Sequence, residues 1–64
     1  MQSTLDRLLT VKESAEALTV SVPTFYRLLK KGRIPPPVHI GNHPRWPQSD
    51  ILRVIEDAKQ TRAA

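Results

Sequence analysis

Ser21-Val22-Pro23-Thr24-Phe25-Tyr26-Arg27-Leu28-Leu29-Lys30-Lys31-Gly32 carries a start signal, a stop signal and one polar face in a single short helix. The Ser21 hydroxyl can accept from the free N–H groups of the first turn. Pro23 falls in that turn, where a missing N–H costs nothing. Gly32 follows the last turn, where a left-handed residue closes a helix without steric penalty. Lys30 and Lys31 lie at the negative end of the helix dipole. At about 3.6 residues per turn, Val22, Phe25 and Leu29 share one face, and Thr24, Arg27 and Lys31 share another. A helix this short and basic suits insertion into a groove. Alone, it is also compatible with an ordinary solvated surface.

The preceding residues supply its context. Thr10-Val11-Lys12-Glu13 is a capping box, with the Thr hydroxyl for the N3 amide and Glu13 returning to the cap. It predicts a helix over 11–18, with Val11, Ala15 and Leu18 as its apolar stripe. Thr19-Val20-Ser21 is then a tight turn, and the pair reads as a helix-turn-helix. Residues 1–8 read as a frayed lead-in whose Leu5 and Leu8, with Leu9, can pack onto the core.

After Gly32, the run Arg33-Ile34-Pro35-Pro36-Pro37 favours an extended path. Val38-His39-Ile40 predicts a short strand with Val38 and Ile40 inward, Gly41 to Pro44 a turn, and Arg45-Trp46 the return strand. Pro44 and Pro47 should confine that strand to an edge. A last helix is predicted over 48–59, with Ile51, Leu52, Val54, Ile55 and Ala58 as its apolar face and Asp50 in its first turn. Residues 61–64 should fray. The expected core is Phe25, Leu29, Val38, Trp46, Ile51 and Ile55. The fold class is a mainly helical winged helix-turn-helix, with three short helices and a two-stranded hairpin, in one domain over 1–64.

Size and charge narrow the function. A chain of 64 residues has no room for two lobes around a cleft, so no enzyme is expected. There is no cysteine, hence neither a disulfide nor a thiolate metal site. The apolar runs are too short to span a membrane, and the first residues lack a signal-peptide core, which points to the cytoplasm. The net charge is +4, yet residues 17–49 hold Arg27, Lys30, Lys31, Arg33 and Arg45 with no acid at all. Charge segregated this way is a footprint for a polyanion such as nucleic acid, although a solvated lysine-rich face would look similar.

Leu8 to Glu13, Ser21 to Gly32, Arg33 to Gly41 and Arg45-Trp46, taken in order, resemble the AlpA-like prophage regulators. These belong to a wider excisionase and MerR-type group of small winged helix-turn-helix proteins. Ser21, Thr24, Phe25, Tyr26 and Arg27 match the family's Ser-x-x-Thr-hydrophobic-Tyr-Arg run. Lys30, Lys31 and Gly32 match its basic pair before Gly, and Arg33, Ile34, Pro35 and Pro37 match its Arg-hydrophobic-Pro-x-Pro segment. Two departures stand out. Pro47 occupies the place of a Ser, Thr or Asp cap, which moves the expected helix start by a residue or two. His43-Pro44 replaces the usual Gly or Arg of the wing turn. The resemblance implies a site-specific double-stranded DNA binder without cofactor, metal or small-molecule effector. It would regulate a nearby prophage promoter, or bend attachment-site DNA to direct integrase toward excision. Integrase, RNA polymerase and further copies on adjacent sites are the implied partners.

The candidate DNA-binding residues follow. Arg27, mid-helix on the polar face, can reach a base edge or clamp a phosphate. Thr24 can touch a thymine methyl or a phosphate. Tyr26 can do likewise, or tuck its ring against the wing. Ser21 serves as cap and phosphate neighbour. Lys30, Lys31 and Arg33 suit phosphates, with one of the three simply solvated. Arg45 on the wing can reach backbone or minor groove, and His43 a phosphate in a pH-dependent way. His39 and His43 flank a turn with no third ligand nearby, so they do not read as a metal site. Ser49 and Asp50 with the histidines have no cleft or oxyanion hole to make a hydrolase. A third reading is a protein-interaction module, in which a partner covers the apolar last helix.

Overall fold

Thr10 opens the first helix as the capping box requires. Its hydroxyl accepts from the Glu13 N–H at 3.1 Å, and its own N–H donates to Glu13 Oε1 at 2.9 Å. In the computed structural model, which describes residues 6–62, the elements are β1 (Leu8–Leu9), α1 (Val11–Ala17), α2 (Val22–Lys30), β2 (Val38–Ile40), β3 (His43–Pro47) and α3 (Gln48–Arg62). Three helices and an antiparallel hairpin make a small winged helix-turn-helix. The expectation for Leu5 lies outside the described residues, as do residues 63 and 64.

Helices α1 and α2 both end in the same backbone motif. Val20 N–H donates to Ala15 O, and Thr19 N–H to Glu16 O, both at 3.0 Å. Arg33 N–H donates to Leu28 O at 2.9 Å, and Gly32 N–H to Leu29 O at 3.0 Å. These are Schellman closures, which place the residue after the C-cap in the left-handed region. Gly32 has φ +79° and takes it freely. Thr19 has φ +57°, a costly conformation for a β-branched residue.

The hairpin turns on two residues, Gly41 and Asn42, between the pair Ile40 and His43. Gly41 alone has positive φ, +64°, as the first central residue of a II′ turn does. His43 and Pro44, expected within the turn, belong to β3. The hairpin also gains a partner. β1 pairs antiparallel with β3, giving a three-stranded sheet in the order β1-β3-β2. Leu8 is therefore strand and not lead-in.

This places β3 at the centre of the sheet, and the expectation of an edge strand fails. Ladder bonds alternate sides along a strand. Gln48 N–H donates to Arg7 O at 2.7 Å, so even-numbered positions of β3 face β1 and odd ones face β2. Pro44 turns toward β1 where β1 has already ended at Leu9, since that pairing covers only Trp46 and Pro47. Pro47 turns toward β2 beyond its last paired residue, Arg45. Both prolines sit where no ladder donor is needed.

The core takes one side chain from each element but β2, and one from the proline segment: Leu9, Ala15, Phe25, Ile34, Trp46 and Ile51 are buried. Leu29 and Ile55 are half-buried, short of the full burial expected. Val38 and Ile40 are 41% and 55% exposed, against the expectation that they point inward. Register explains it. Trp46 pairs with Leu9 on the core face, so its neighbour Arg45, paired with Val38, must face outward. The inward place is filled by Ile34, at 2% exposure. Ser14 is fully buried and its hydroxyl has no partner among the described residues.

α3 begins directly after Pro47 without the expected shift. Its cap comes from a distant residue. Asp6 Oδ1 accepts from the Ser49 N–H at 3.1 Å, and Ser49 Oγ donates to Asp6 Oδ2. A carboxylate there satisfies first-turn donors and complements the dipole. At its other end α3 runs to Arg62, so residues 61 and 62 are helical where fraying was expected.

Candidate nucleic-acid interface

Helix α2 is built as an amphipathic rod. Phe25 is fully buried, and Val22, Leu28 and Leu29 pack beside it against the core. Ser21 caps it: its Oγ accepts from the Thr24 N–H at 3.3 Å and donates to Thr24 Oγ1 at 2.9 Å. The Ser21 proton is thereby committed within the cap, while the Thr24 hydroxyl proton stays available to an outside acceptor. The first turn of α2 holds no acid, so nothing within the helix offsets its positive end.

Arg27, Lys30, Lys31 and Arg33 are exposed on α2 and the segment after it. Among the described residues, the ion pairs are Arg7 with Glu13 and Glu56 with Lys59, neither of which touches this cluster. The four charges therefore face solvent without a carboxylate to neutralise them. Thr24, Arg27 and Lys31 fall on one face of the helix, as the spacing predicts. Tyr26 is 47% exposed, its ring edge-on to Phe25 at 6.3 Å. At ~1.5 Å per residue, α2 is about 14 Å long, and a major groove about 12 Å wide admits such a helix.

The hairpin residues are less uniform. His43 is exposed at the mouth of the turn, opposite Ile40. Arg45 is half-buried and folds its guanidinium back to donate to Pro44 O at 2.7 Å. Its charge also helps lower the Glu13 carboxyl, behind the larger effects of the Thr10 N–H and of Arg7. Of the candidate cations, Arg45 is the one already engaged locally among the described residues, as Ser21 and Thr24 are among the hydroxyls. Among the described residues, no group of three His, Cys, Asp or Glu is placed to hold a metal. No helix among them is long and apolar enough to cross a membrane.

Two positions that frame this site were not singled out by the sequence reading. Thr19 sets the angle of the turn between α1 and α2 through its left-handed backbone. Asp6 anchors the start of α3. A signal for Asp6 was available: a helix that opens after Pro47 without a local cap needs an acceptor from elsewhere.

Residues 8–59 match the family model described as "Helix-turn-helix domain". No curated protein and no solved structure matches the chain. The matched span runs from the first strand through most of α3, taking in the capping box, the turn, the basic helix and the hairpin. This chain belongs to the helix-turn-helix domain family, a DNA-binding architecture.

Proposed function

We propose that the protein is a sequence-specific double-stranded DNA-binding regulator of the AlpA-like prophage type, acting in the cytoplasm and without catalytic activity. Helix α2 lies in the major groove and the hairpin, residues 37–46, rests on the flanking backbone. The observation that carries this reading is the exposed cluster of Arg27, Lys30, Lys31 and Arg33, without an ion-pair partner among the described residues, on a helix held by the helix-turn-helix frame. Arg27 reads a base edge, flanked by Thr24 and Tyr26. Lys30, Lys31 and Arg33 hold phosphates, with Ser21, His43 and Arg45 as further backbone contacts. A surface this small covers few base pairs, so tight binding uses two or more copies on adjacent sites.

Footprinting on DNA surrounding the protein's own gene tests it. A protected site whose occupancy falls steeply with salt is expected. Absence of any protected site, with only weak salt-insensitive binding, would sink the reading. One observation favours a second output, that of an excisionase. Ile40 is 55% exposed beside the hairpin turn, and an apolar side chain so placed resembles the wedges of DNA-bending proteins. Gel shifts with the site permuted along a fragment separate the two, because an architectural factor must bend its site strongly.

A further inference from the structure

Glu13, Glu16 and Ala17 share the side of α1 opposite Val11, Ser14, Ala15 and Leu18, which pack into the core. That outward side and α3 form the walls of an apolar groove. Ala17, Leu52 and Ile55 line it, and Asp6, Glu13 and Glu16 stand along it. Leu52 is 55% exposed. Beyond Leu52 the wall continues with Glu56 and Asp57. The bases at these walls are Arg7, paired to Glu13 at 3.7 Å, Arg53, and Lys59, paired to Glu56 at 3.6 Å.

We propose that this groove docks an amphipathic helix of a second protein, with apolar residues along its inner stripe and Lys or Arg on its flanks. Charge complementarity selects that occupant. Carboxylates (Asp6, Glu13, Glu16, Glu56 and Asp57) outnumber the basic groups there (Arg7, Arg53 and Lys59), and the apolar stripe between them has the form a helix fills. Two copies of this chain meeting here would set carboxylates against carboxylates. The chain's own basic block offers no substitute, because the apolar side of α2 is already buried through Phe25. The groove uses no residue of α2, so the proposal stands independently of DNA binding and leaves both faces open at once. A regulator bound to DNA would in this way carry a second protein on a surface that shares no residue with α2.

The test is a display selection on the full chain. The library consists of stapled helical peptides of about 15 residues, equal in length to α3 at ~1.5 Å per residue, with a fixed leucine stripe and flanks randomised among Lys, Glu and Gln. Selected peptides should be enriched in Lys on both flanks. Their amide shift changes should map to α1 and α3 around Ala17, Leu52 and Ile55. Leu52→Glu, at an exposed position, should keep the parent's circular dichroism and lose binding at least about tenfold. Glu16→Lys should weaken the enrichment of Lys on the flank that faces α1. Flank-independent binding, failure to select any binder, shifts mapping elsewhere, or undiminished binding to Leu52→Glu would each overturn the proposal. So would self-association of the parent that Leu52→Glu abolishes, since the groove would then belong to a second copy.

Discussion

The Trp46 indole stands edge-on to the Phe25 ring, with centroids 4.9 Å apart and planes at 88°. The same indole donates its N–H to Pro35 O at 3.0 Å. One side chain thus joins the inner face of α2, the proline segment and the central strand of the sheet. The aromatic pair has the edge-to-face geometry that ring quadrupoles favour, and the buried N–H has the partner it needs. The consequence reaches function: the same contacts that bury Phe25 fix how far α2 and the hairpin stand from one another.

Phe25→Ala should cost about 3–5 kcal/mol. A chain this size has a total stability of only about 3–10 kcal/mol, so much of the variant should be unfolded. Trp46 is the one tryptophan, and its fluorescence in urea reports this directly. Trp46→Phe keeps a ring but strands Pro35 O, and should cost about 1–3 kcal/mol by circular dichroism in urea. A Trp46→Phe variant as stable as the parent would show that the hydrogen bond contributes nothing.

The two Schellman closures predict opposite signs for exchanging glycine. Gly32→Ala should destabilise by about 1–2 kcal/mol. That cost is conformational, because no atom lies within 4 Å of where the new Cβ would sit. Thr19→Gly should stabilise by about 0.5–1 kcal/mol, the relieved left-handed strain less the extra chain entropy of glycine. Thermal melts of both variants check the pair. A Thr19→Gly variant less stable than the parent would mean that the Thr19 hydroxyl, donating to Leu18 O at 2.6 Å, outweighs the strain.

Asp6 and Ser49, far apart in sequence, act as cap and capped. Asp6→Ala should cost about 0.5–2 kcal/mol, the usual range for a lost N-cap. Ser49→Ala should cost only about 0.5–1 kcal/mol, because the backbone N–H of residue 49 keeps its bond to Asp6 and only the hydroxyl bond is lost. The double variant should cost less than their sum, because both remove one interaction. Amide exchange in the first turn of α3 should quicken in Asp6→Ala. Additive losses would indicate two unrelated effects.

Glu13 supplies a pH dependence whose sign follows from geometry. The Thr10 N–H, with Arg7 as a lesser contributor, holds its carboxyl below the ordinary 4.5, partly opposed by burial. A carboxyl lowered on folding contributes stability above its unfolded value and loses it as pH falls through the folded one. Relative to Glu13→Gln, the parent should therefore melt higher at neutral pH. The difference should shrink once pH drops below about 4.5. Equal differences at about pH 3 and pH 7 would rule out Glu13 as the source.

On DNA, Arg27→Ala should abolish site preference while leaving the fold intact. Loss of a bidentate base contact corresponds to about 1–3 kcal/mol of discrimination. Lys30→Ala and Lys31→Ala should instead weaken binding to all sequences alike, and lower the salt slope by about one unit for each phosphate lost. Salt titrations on specific and scrambled duplexes separate the two behaviours. If Arg27→Ala footprints like the parent, the residue that reads the base lies elsewhere.

Local chemistry made much of this legible in the residues themselves. The Thr10 box, the Ser21 cap, Pro23 and Gly32 bound their helices through contacts within a few positions, and such contacts depend on little else. The exposed basic face of α2 follows from those boundaries and from helical spacing. Other features needed the assembled molecule. Val38 and Ile40 have the composition of buried strand residues, but which face of a strand is inward depends on register, and Trp46 set it by pairing with Leu9. Pro44 and Pro47 speak for an edge until the neighbouring strands are seen to stop short of them. Pro47 leaves α3 without a local cap, and only the folded chain brings Asp6 to Ser49. Arg45 reads as a free wing cation in the sequence, yet the tertiary structure brings its charge within reach of Glu13. Short-range backbone chemistry is written in order along the chain. Pairing, register and capping across long separations arise only when distant segments share one core.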